Sequence, residues 1–529
     1  MSERSGLEKI TFGVAVMSFS VILTKICGMF FKIPLTSILG TYGMGVFNTA
    51  YTVYSLLFVL CSAGLPSAIA ISVSSNLEAN PCGEKRADPA QILSVSIRFF
   101  GAVGLVCALL TYVTADFLAG LLNNPQSAMS LRALSACVFF TCISGVFRGY
   151  FQGHKDMVPT AISQVTEAVG KLVFGVCFAL YANRQGFPIG SVAAYAVFGV
   201  TLSSVLSTLY LLVKYVFFKH KRAFLSENET VNNKTVLKKL FKTAAPITMS
   251  SLVMSVVGVI DLVLVMRLLK SPDGSLDFAN DQYGAYSALA TPLFNLPAVL
   301  IMPVATATLP VIAGAVSSNA QKKVQDTVLY AVKLCTAIAV PCALGLCFLS
   351  EPVLMLLFED TAAIKAAPML SVLSSAVVFT CLLSVQNPIL QGNGMPSLPM
   401  VSMLIGATVK ILLGIFLIPK LGIYACAIGT LGCYTVASFI NGYFIEKKTA
   451  MQIPYLRYFL HAAVCGVPAT ALSYMINRSL SSATDQRIAC AVAVCACIVI
   501  YFALILISGF FKIRDITHVL HIKRRIPRK

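Results

Sequence analysis

Apolar runs close to 20 residues long recur from one end of this chain to the other, and they leave one class of fold open. A run of that length matches the hydrocarbon core of a bilayer when coiled as an α-helix, and only a helix satisfies its own backbone polar groups there. The runs fall at 10–33, 44–75, 91–114, 129–151, 159–182, 190–218, 243–269, 283–316, 327–350, 363–390, 399–418, 424–445, 456–477 and 488–511. The expected fold is therefore an all-α polytopic membrane protein with about 14 transmembrane helices. Composition agrees, at 57% hydrophobic, 12% charged and a mean hydropathy of +0.83. A net charge of +19 would suggest nucleic acid for a water-soluble protein; here it is read as loop charge, with no nucleic-acid partner. Met1 to Lys9 is short and polar and runs straight into the first span without a small-residue cleavage site, so that span is expected to be retained.

The loop charges set an orientation. With the N-terminus inside, the inner segments hold about 24 Lys and Arg against about six outside, a strong positive-inside bias. The inner set includes Arg4, Lys9, Lys85, Arg86, Lys155, Lys447 and Lys448, and the outer set includes Arg184, Lys270, Lys365 and Lys420. Both termini are expected to be cytoplasmic. The longest polar segment, 219–242, follows the sixth span. It divides an N-lobe (1–218) from a C-lobe (243–445), with two further spans at 446–511 and a basic cytoplasmic tail at 512–529. Six being even, the two six-helix lobes should be parallel repeats.

A duplication supports that division. Shifted by 239 residues without a gap, Leu131–Gly175 falls on Leu370–Gly414, and 14 of 45 positions agree, among them Gln152, Gly153, Ser163, Lys171 and Gly175. Each copy reads as an apolar helix, a Gln-Gly turn and a second apolar helix containing a lysine. Paired helical halves are what alternating access requires.

Charges within the spans are expensive and so mark candidate sites. Thr11, Ser18, Lys25 and Lys32 recur every seven residues along one face of the first span. Ser163, Glu167 and Lys171 are each four apart on the fifth, where Glu167 and Lys171 can form an i, i+4 pair. The second copy keeps Lys410 but carries Gly406 in place of the glutamate, so the same pair cannot form there. Asp261 and Arg267 lie in the seventh span at a spacing that does not favour direct pairing, and His461 stands alone in the thirteenth and is read as packed. The balance is cationic: Lys25, Lys32, Lys171, Arg267 and Lys410 form a candidate site for an anionic headgroup such as pyrophosphate. Asp261 and Glu167 are candidates for coupling to an ion, Na+ or H+. The long second and eighth runs carry Gly64-Leu65-Pro66 and Pro292, Pro297, Pro303 and Pro310, where kinks are expected. The 17 cysteines lie almost all in apolar runs without metal-ligand spacing and are read as small hydrophobes; no metal or cofactor is expected.

The run Arg148-Gly-Tyr-Phe-Gln-Gly-His-Lys-Asp-Met-Val-Pro-Thr-Ala-Ile-Ser-Gln-Val-Thr-Glu167 resembles the signature of the stage V sporulation protein B family. The first-span run Lys25–Pro34 with Leu39–Gly45 is similar to the same family. That family sits with polysaccharide exporters and lipid II flippases in the multidrug/oligosaccharidyl-lipid/polysaccharide superfamily. The resemblance covers essentially the whole chain. It implies two six-helix lobes around a cavity that opens alternately to each face, and outward movement of an undecaprenyl-pyrophosphate-linked saccharide across the bacterial plasma membrane. It also implies cationic residues in the first span, here Lys25 and Lys32, and a groove for the polyprenyl tail on spans 13 and 14. Peptidoglycan precursor lipid II is the leading cargo, in spore-cortex or vegetative wall synthesis.

Two other classes make different demands on the sequence. A cation-coupled multidrug exporter of the same superfamily would need acidic residues for cationic drugs, and the interior here is cationic. A membrane glycosyltransferase or polymerase would need a sizeable outer catalytic loop, and the outer loops here are short. No P-loop, HExxH or GxSxG points to an ATPase, metalloprotease or hydrolase, so a non-enzyme is expected.

Overall fold

The computed structural model describes residues 2–62, 64–77, 88–222, 232–269, 276–482 and 484–510. Several expectations lie outside the described residues or side chains: the Thr11 and Ser18 positions of the first-span stripe, Arg4, Lys9, Lys85, Arg86, Lys270 and the tail at 512–529. The described chain is helical throughout and divides into two compact units, Met1–Ala288 and Leu289–Lys529.

The first unit holds α1 (Ser2–Ser62), α2 (Leu65–Leu77), α3 (Pro89–Val113), α4 (Ala115–Leu121) and α5 (Ala128–Gly153). It continues with α6 (Val158–Gly170), α7 (Val176–Arg184), α8 (Ile189–Arg222), α9 (Asn233–Leu268) and α10 (Leu276–Gly284). α1 is two helices joined across a kink at Gly40, whose φ of 64° and ψ of 179° fit no helix and favour glycine. α6 passes into α7 through a π turn at Lys171–Gly175. The unit packs around α5, which lies against α2, α3 and α8. Leu65, Ile69, Val146, Phe147, Phe151, Leu211 and Leu240 fill its core.

The second unit holds α11 (Thr291–Ser317), α12 (Gln321–Phe348), α13 (Ser350–Leu357), α14 (Asp360–Ser374) and α15 (Val377–Gly392). It ends with α16 (Leu398–Leu421), α17 (Tyr424–Thr449), α18 (Tyr455–Ser481) and α19 (Gln486–Ile507). A second π turn, Ala285–Ala290, joins α10 to α11, and the division between the units falls inside it. α15 packs on α11, α12 and α17, and α18 packs on α12 and α19. Large apolar side chains such as Val113 and Ile507 stand exposed along the helices, as suits a lipid solvent.

Among the described residues, eleven helices are long and apolar enough to cross a membrane, or twelve if the bent pair Asp360–Ser374 and Val377–Gly392 is one span. The fourteen sequence runs exceed this for two reasons. The stretch Phe19–Ser74 counts once although it covers most of two runs, because the two helices of α1 are joined at the Gly40 kink without an intervening loop. The run 243–269 belongs to α9, which is not among the eleven. The segment 219–242 is also more helical than a linker: α8 continues to Arg222, and Asn232 caps α9, accepting from the Lys234 amide at 3.0 Å.

The 239-residue repeat is visible in the backbone. The turn after α5 has His154 at φ −82°, ψ 8°, and its equivalent Asn393 has φ −84°, ψ 9°. The next residue is left-handed in both copies, Lys155 at φ 61° and Gly394 at φ 81°. The amide bonds correspond one for one: Lys155 to Gln152 and Asp156 to Phe151 in the first, Gly394 to Gln391 and Met395 to Leu390 in the second. The match reaches beyond the aligned stretch. A Cβ on Gly153 would stand 2.6 Å from Val73, and one on Gly392 would stand 3.0 Å from Ile312, which is Val73 shifted by 239. A small residue is therefore needed at the same helix crossing in each unit.

Candidate functional site: a buried cation cluster

The site is built where α5 and α6 face each other across the Gln-Gly turn. Arg148, near the end of α5, is almost fully buried. Its Nε donates to Ser163 Oγ at 2.9 Å, and its Nη2 donates to Ser207 Oγ at 3.1 Å and to Glu167 Oε2 at 2.9 Å. The two serines are themselves fixed, Ser163 donating to Thr160 O at 2.7 Å and Ser207 to Ser163 O at 2.9 Å. The other carboxylate oxygen, Glu167 Oε1, meets Lys171 Nζ at 3.1 Å. One carboxylate thus bridges two cations, with side-chain exposures of 11% for Arg148, 12% for Glu167 and 22% for Lys171.

This corrects the charge count. The pairing of Glu167 with Lys171 follows from their four-residue spacing, but Arg148 does not: it lies 19 residues before Glu167 on a different helix. With Arg148 included, the cluster carries two positive charges and one negative, a net +1. Its shifted equivalents are Asn387, Gly406 and Lys410, again a net +1. The second copy lacks the arginine and the glutamate together, and keeps the lysine. Asn387 there accepts from Asn441 Nδ2 at 2.9 Å, a neutral contact in place of the Arg148 ion pair.

Lys171 opens the π turn of its helix. Such turns disturb the i→i+4 ladder and recur at functional positions. Lys410 lies in unbroken α16, half-buried, with a Cβ on Gly429 of α17 placed 3.1 Å from its Cγ. The lysine stem therefore runs over a position where α17 carries no side chain.

The other candidates are placed separately. Lys32 Nζ donates to Ser287 O at 3.0 Å, inside the second π turn. A polar seam holds this turn's helix against α1: Asn124 Nδ2 donates to Thr49 Oγ1 at 2.9 Å and to Asn280 Oδ1 at 2.7 Å, and Thr41 bonds Asp281. Gly45 and Gly284 let the two backbones touch. Lys25 is exposed on α1. Arg267 is exposed and donates to Leu121 O at 3.2 Å, tying the end of α9 to the end of α4. Asp261 is half-buried in α9. No hydrogen bond or ion pair joins Lys25, Lys32 or Arg267 to the Arg148 cluster among the described residues. His461 packs edge-on against Phe510, their ring centroids 5.0 Å apart, so it is a packed side chain. The described cysteines are all unbridged thiols.

What this arrangement can do follows from its charge. Lysine ammonium groups within membrane-spanning helices attract anions that approach them, and they do so most where one side of the group is open.

Comparison with known proteins agrees with this fold. The polysaccharide biosynthesis protein family matches residues 10–316, and the MatE family matches residues 246–416. Stage V sporulation protein B of Bacillus subtilis (strain 168) is 27% identical over 99% of this chain and 100% of its own length. Lipid II flippase MurJ of the same organism is 23% identical over 84% of this chain and 83% of its own. The solved structure of lipid II flippase MurJ in an inward closed conformation superposes with a TM-score of 0.71 at 15% identity, over 93% of this chain and 98% of that one. A multi-pass helical chain, duplicated at an interval of 239 residues and matched by a family profile over more than half its length, belongs to the polysaccharide biosynthesis protein family, within the multidrug/oligosaccharidyl-lipid/polysaccharide superfamily of membrane transporters.

Proposed function

We propose that this transporter is a flippase for an undecaprenyl-pyrophosphate-linked saccharide, with the peptidoglycan precursor lipid II as its cargo, working by alternating access in cell-wall or spore-cortex synthesis. The observation that carries the reading is the repeated net positive charge: Lys171 with its Arg148–Glu167 pair in one copy, and Lys410 in the other. A pyrophosphate needs cations inside the hydrocarbon region to cross it, and a neutral pathway would strand several units of charge in lipid. Similarity to proteins named stage V sporulation protein B and lipid II flippase supports the cargo class. In the proposed cycle the pyrophosphate is drawn in by Lys25, Lys171 and Lys410, with Lys32 and Arg267 as further cations on the path. Asp261 is the proposed coupling group for Na+ or H+. The termini are proposed to be cytoplasmic, and the reading is of a transporter rather than an enzyme.

The test is expression of this protein in cells depleted of their own lipid II flippases. Restored growth with restored outward exposure of lipid II is expected; failure at good membrane expression rejects the cargo. Lys25→Met and Lys410→Met should each abolish rescue without lowering protein level, and full activity in both would remove these lysines from the pathway. The MatE match over 246–416 supports a second reading, a cation-coupled multidrug exporter. That reading requires the protein to lower drug susceptibility in a host lacking its own exporters, with no effect on lipid II exposure.

A further inference from the structure

An anion site made of buried cations has two problems that binding alone does not solve. When empty, an uncompensated ammonium in a low-dielectric surrounding costs several kcal/mol. When full, a diphosphate held by that ammonium must still be released. The cluster around Glu167 has a geometry that answers both.

Glu167 gives each of its oxygens to a different cation, and the two cations are not equivalent. Arg148 is the more buried, and two serines on α6 and α8 hold its guanidinium whether or not the carboxylate is there. Lys171 is twice as exposed as its partners, at 22% against 11% and 12%, and sits on a long flexible stem at the mouth of a π turn. The fixed cation is thus the arginine and the accessible one is the lysine. A phosphate approaching Lys171 meets a carboxylate already bonded to it, and two anions on one ammonium repel. The repulsion is relieved if the carboxylate withdraws onto Arg148, where one of its oxygens is already bonded.

We propose that Glu167 is an exchangeable counter-ion: it holds Lys171 while the site is empty, yields it to the pyrophosphate of the lipid-linked ligand while remaining on Arg148, and recaptures it as the ligand leaves. Arg148 is on this view a positioning residue. Its place is to keep the displaced carboxylate neutralised within reach. The exchange rests on the flippase reading of Lys171 and adds to it a specific role for the glutamate. The second copy carries Asn387 and Gly406 at the positions of Arg148 and Glu167, so the exchange proposed for that pair concerns the first copy.

The consequence is an effect opposite to that of losing an ordinary binding residue. Glu167→Gln keeps the shape and an acceptor for Arg148 but removes the competing charge. Purified full-length protein in lipid nanodiscs is titrated with undecaprenyl pyrophosphate, and with uncharged undecaprenol as the control. Glu167→Gln should bind the pyrophosphate about tenfold tighter, a gain of ~1.4 kcal/mol, with undecaprenol binding unchanged. In cells the same variant should expose lipid II more slowly than wild type, because release is slowed. Glu167→Asp, which keeps the charge but is too short to bridge both cations, should move affinity in the same direction by less, and serves if the amide variant folds poorly. Equal or weaker pyrophosphate binding by both folded variants overturns the exchange. If wild type binds the pyrophosphate and Lys171→Met weakens it, the site reading survives that result and only the counter-ion role falls. Absence of pyrophosphate binding by wild type overturns both.

Discussion

At the scale of single residues, Arg148 and Lys171 look alike in a charge count and differ in what surrounds them. Arg148 is wrapped by Ser163, Ser207 and Glu167, whereas Lys171 meets the same carboxylate from its more open side. Their substitutions should therefore separate. Arg148→Met leaves two serines and a buried carboxylate short of a partner and should destabilise the protein by about 3 kcal/mol. Lys171→Met leaves Glu167 neutralised by Arg148 and should lower the unfolding temperature much less. Thermal unfolding in detergent measures both, and equal losses would mean that the lysine is structural too. Sequence reasoning reached Glu167 and Lys171 because four residues is one helical turn, and it reached Gly406 opposite Lys410 by alignment. It passed over Arg148, although the residue opens the very motif that carried the family resemblance. Pairing across a helix–turn–helix depends on how two faces meet, and helical periodicity is silent about that.

At the scale of elements, the helix pair was the most legible part of the chain, and its turn shows why. The Gln-Gly sequence is followed in each copy by a left-handed residue, glycine in one and Lys155 in the other, with the same amide bonds closing both turns. The π turns were not legible. No residue type marks the widening at Lys171–Gly175 or Ala285–Ala290, since both runs look like ordinary apolar helix. The fourteen runs appear as eleven or twelve continuous stretches partly because Gly40 changes the direction of α1 without a gap in the helix, so two runs join in one stretch. The second π turn explains the placement of Lys32, expected from sequence to bind an anion. A π turn takes a carbonyl out of the regular ladder, and a buried carbonyl needs a donor. The Lys32 ammonium supplies it to Ser287. Lys32→Met should leave that carbonyl short of a donor and speed amide hydrogen exchange across 285–290 by roughly tenfold, equivalent to a local loss of about 1.4 kcal/mol. Unchanged exchange there would leave Lys32 available for ligand alone.

At the scale of the whole molecule, the duplication is the organising fact. The offset of 239 residues relates the two turns, the two glycine crossings at Gly153 and Gly392, and the two lysines, each within its own compact unit. The compact units divide at Ala288, within the eighth run, whereas the lobes read from the loops divide at 219–242. The first partition rests on packing and the second on loop charge and length, and α9 and α10 pack with the first unit while following 219–242 in sequence. What the copies share is the lysine and its net charge of +1; what they do not share is the Arg148–Glu167 pair. The central claim is that both lysines serve pyrophosphate. Its most direct test is equilibrium binding of undecaprenyl pyrophosphate to purified wild type, Lys171→Met and Lys410→Met in nanodiscs. Each variant is expected to lose about tenfold in affinity, with uncharged undecaprenol bound as before. Wild-type affinity for the pyrophosphate in Lys410→Met, in the copy that carries Gly406 where the first has Glu167, would contradict it.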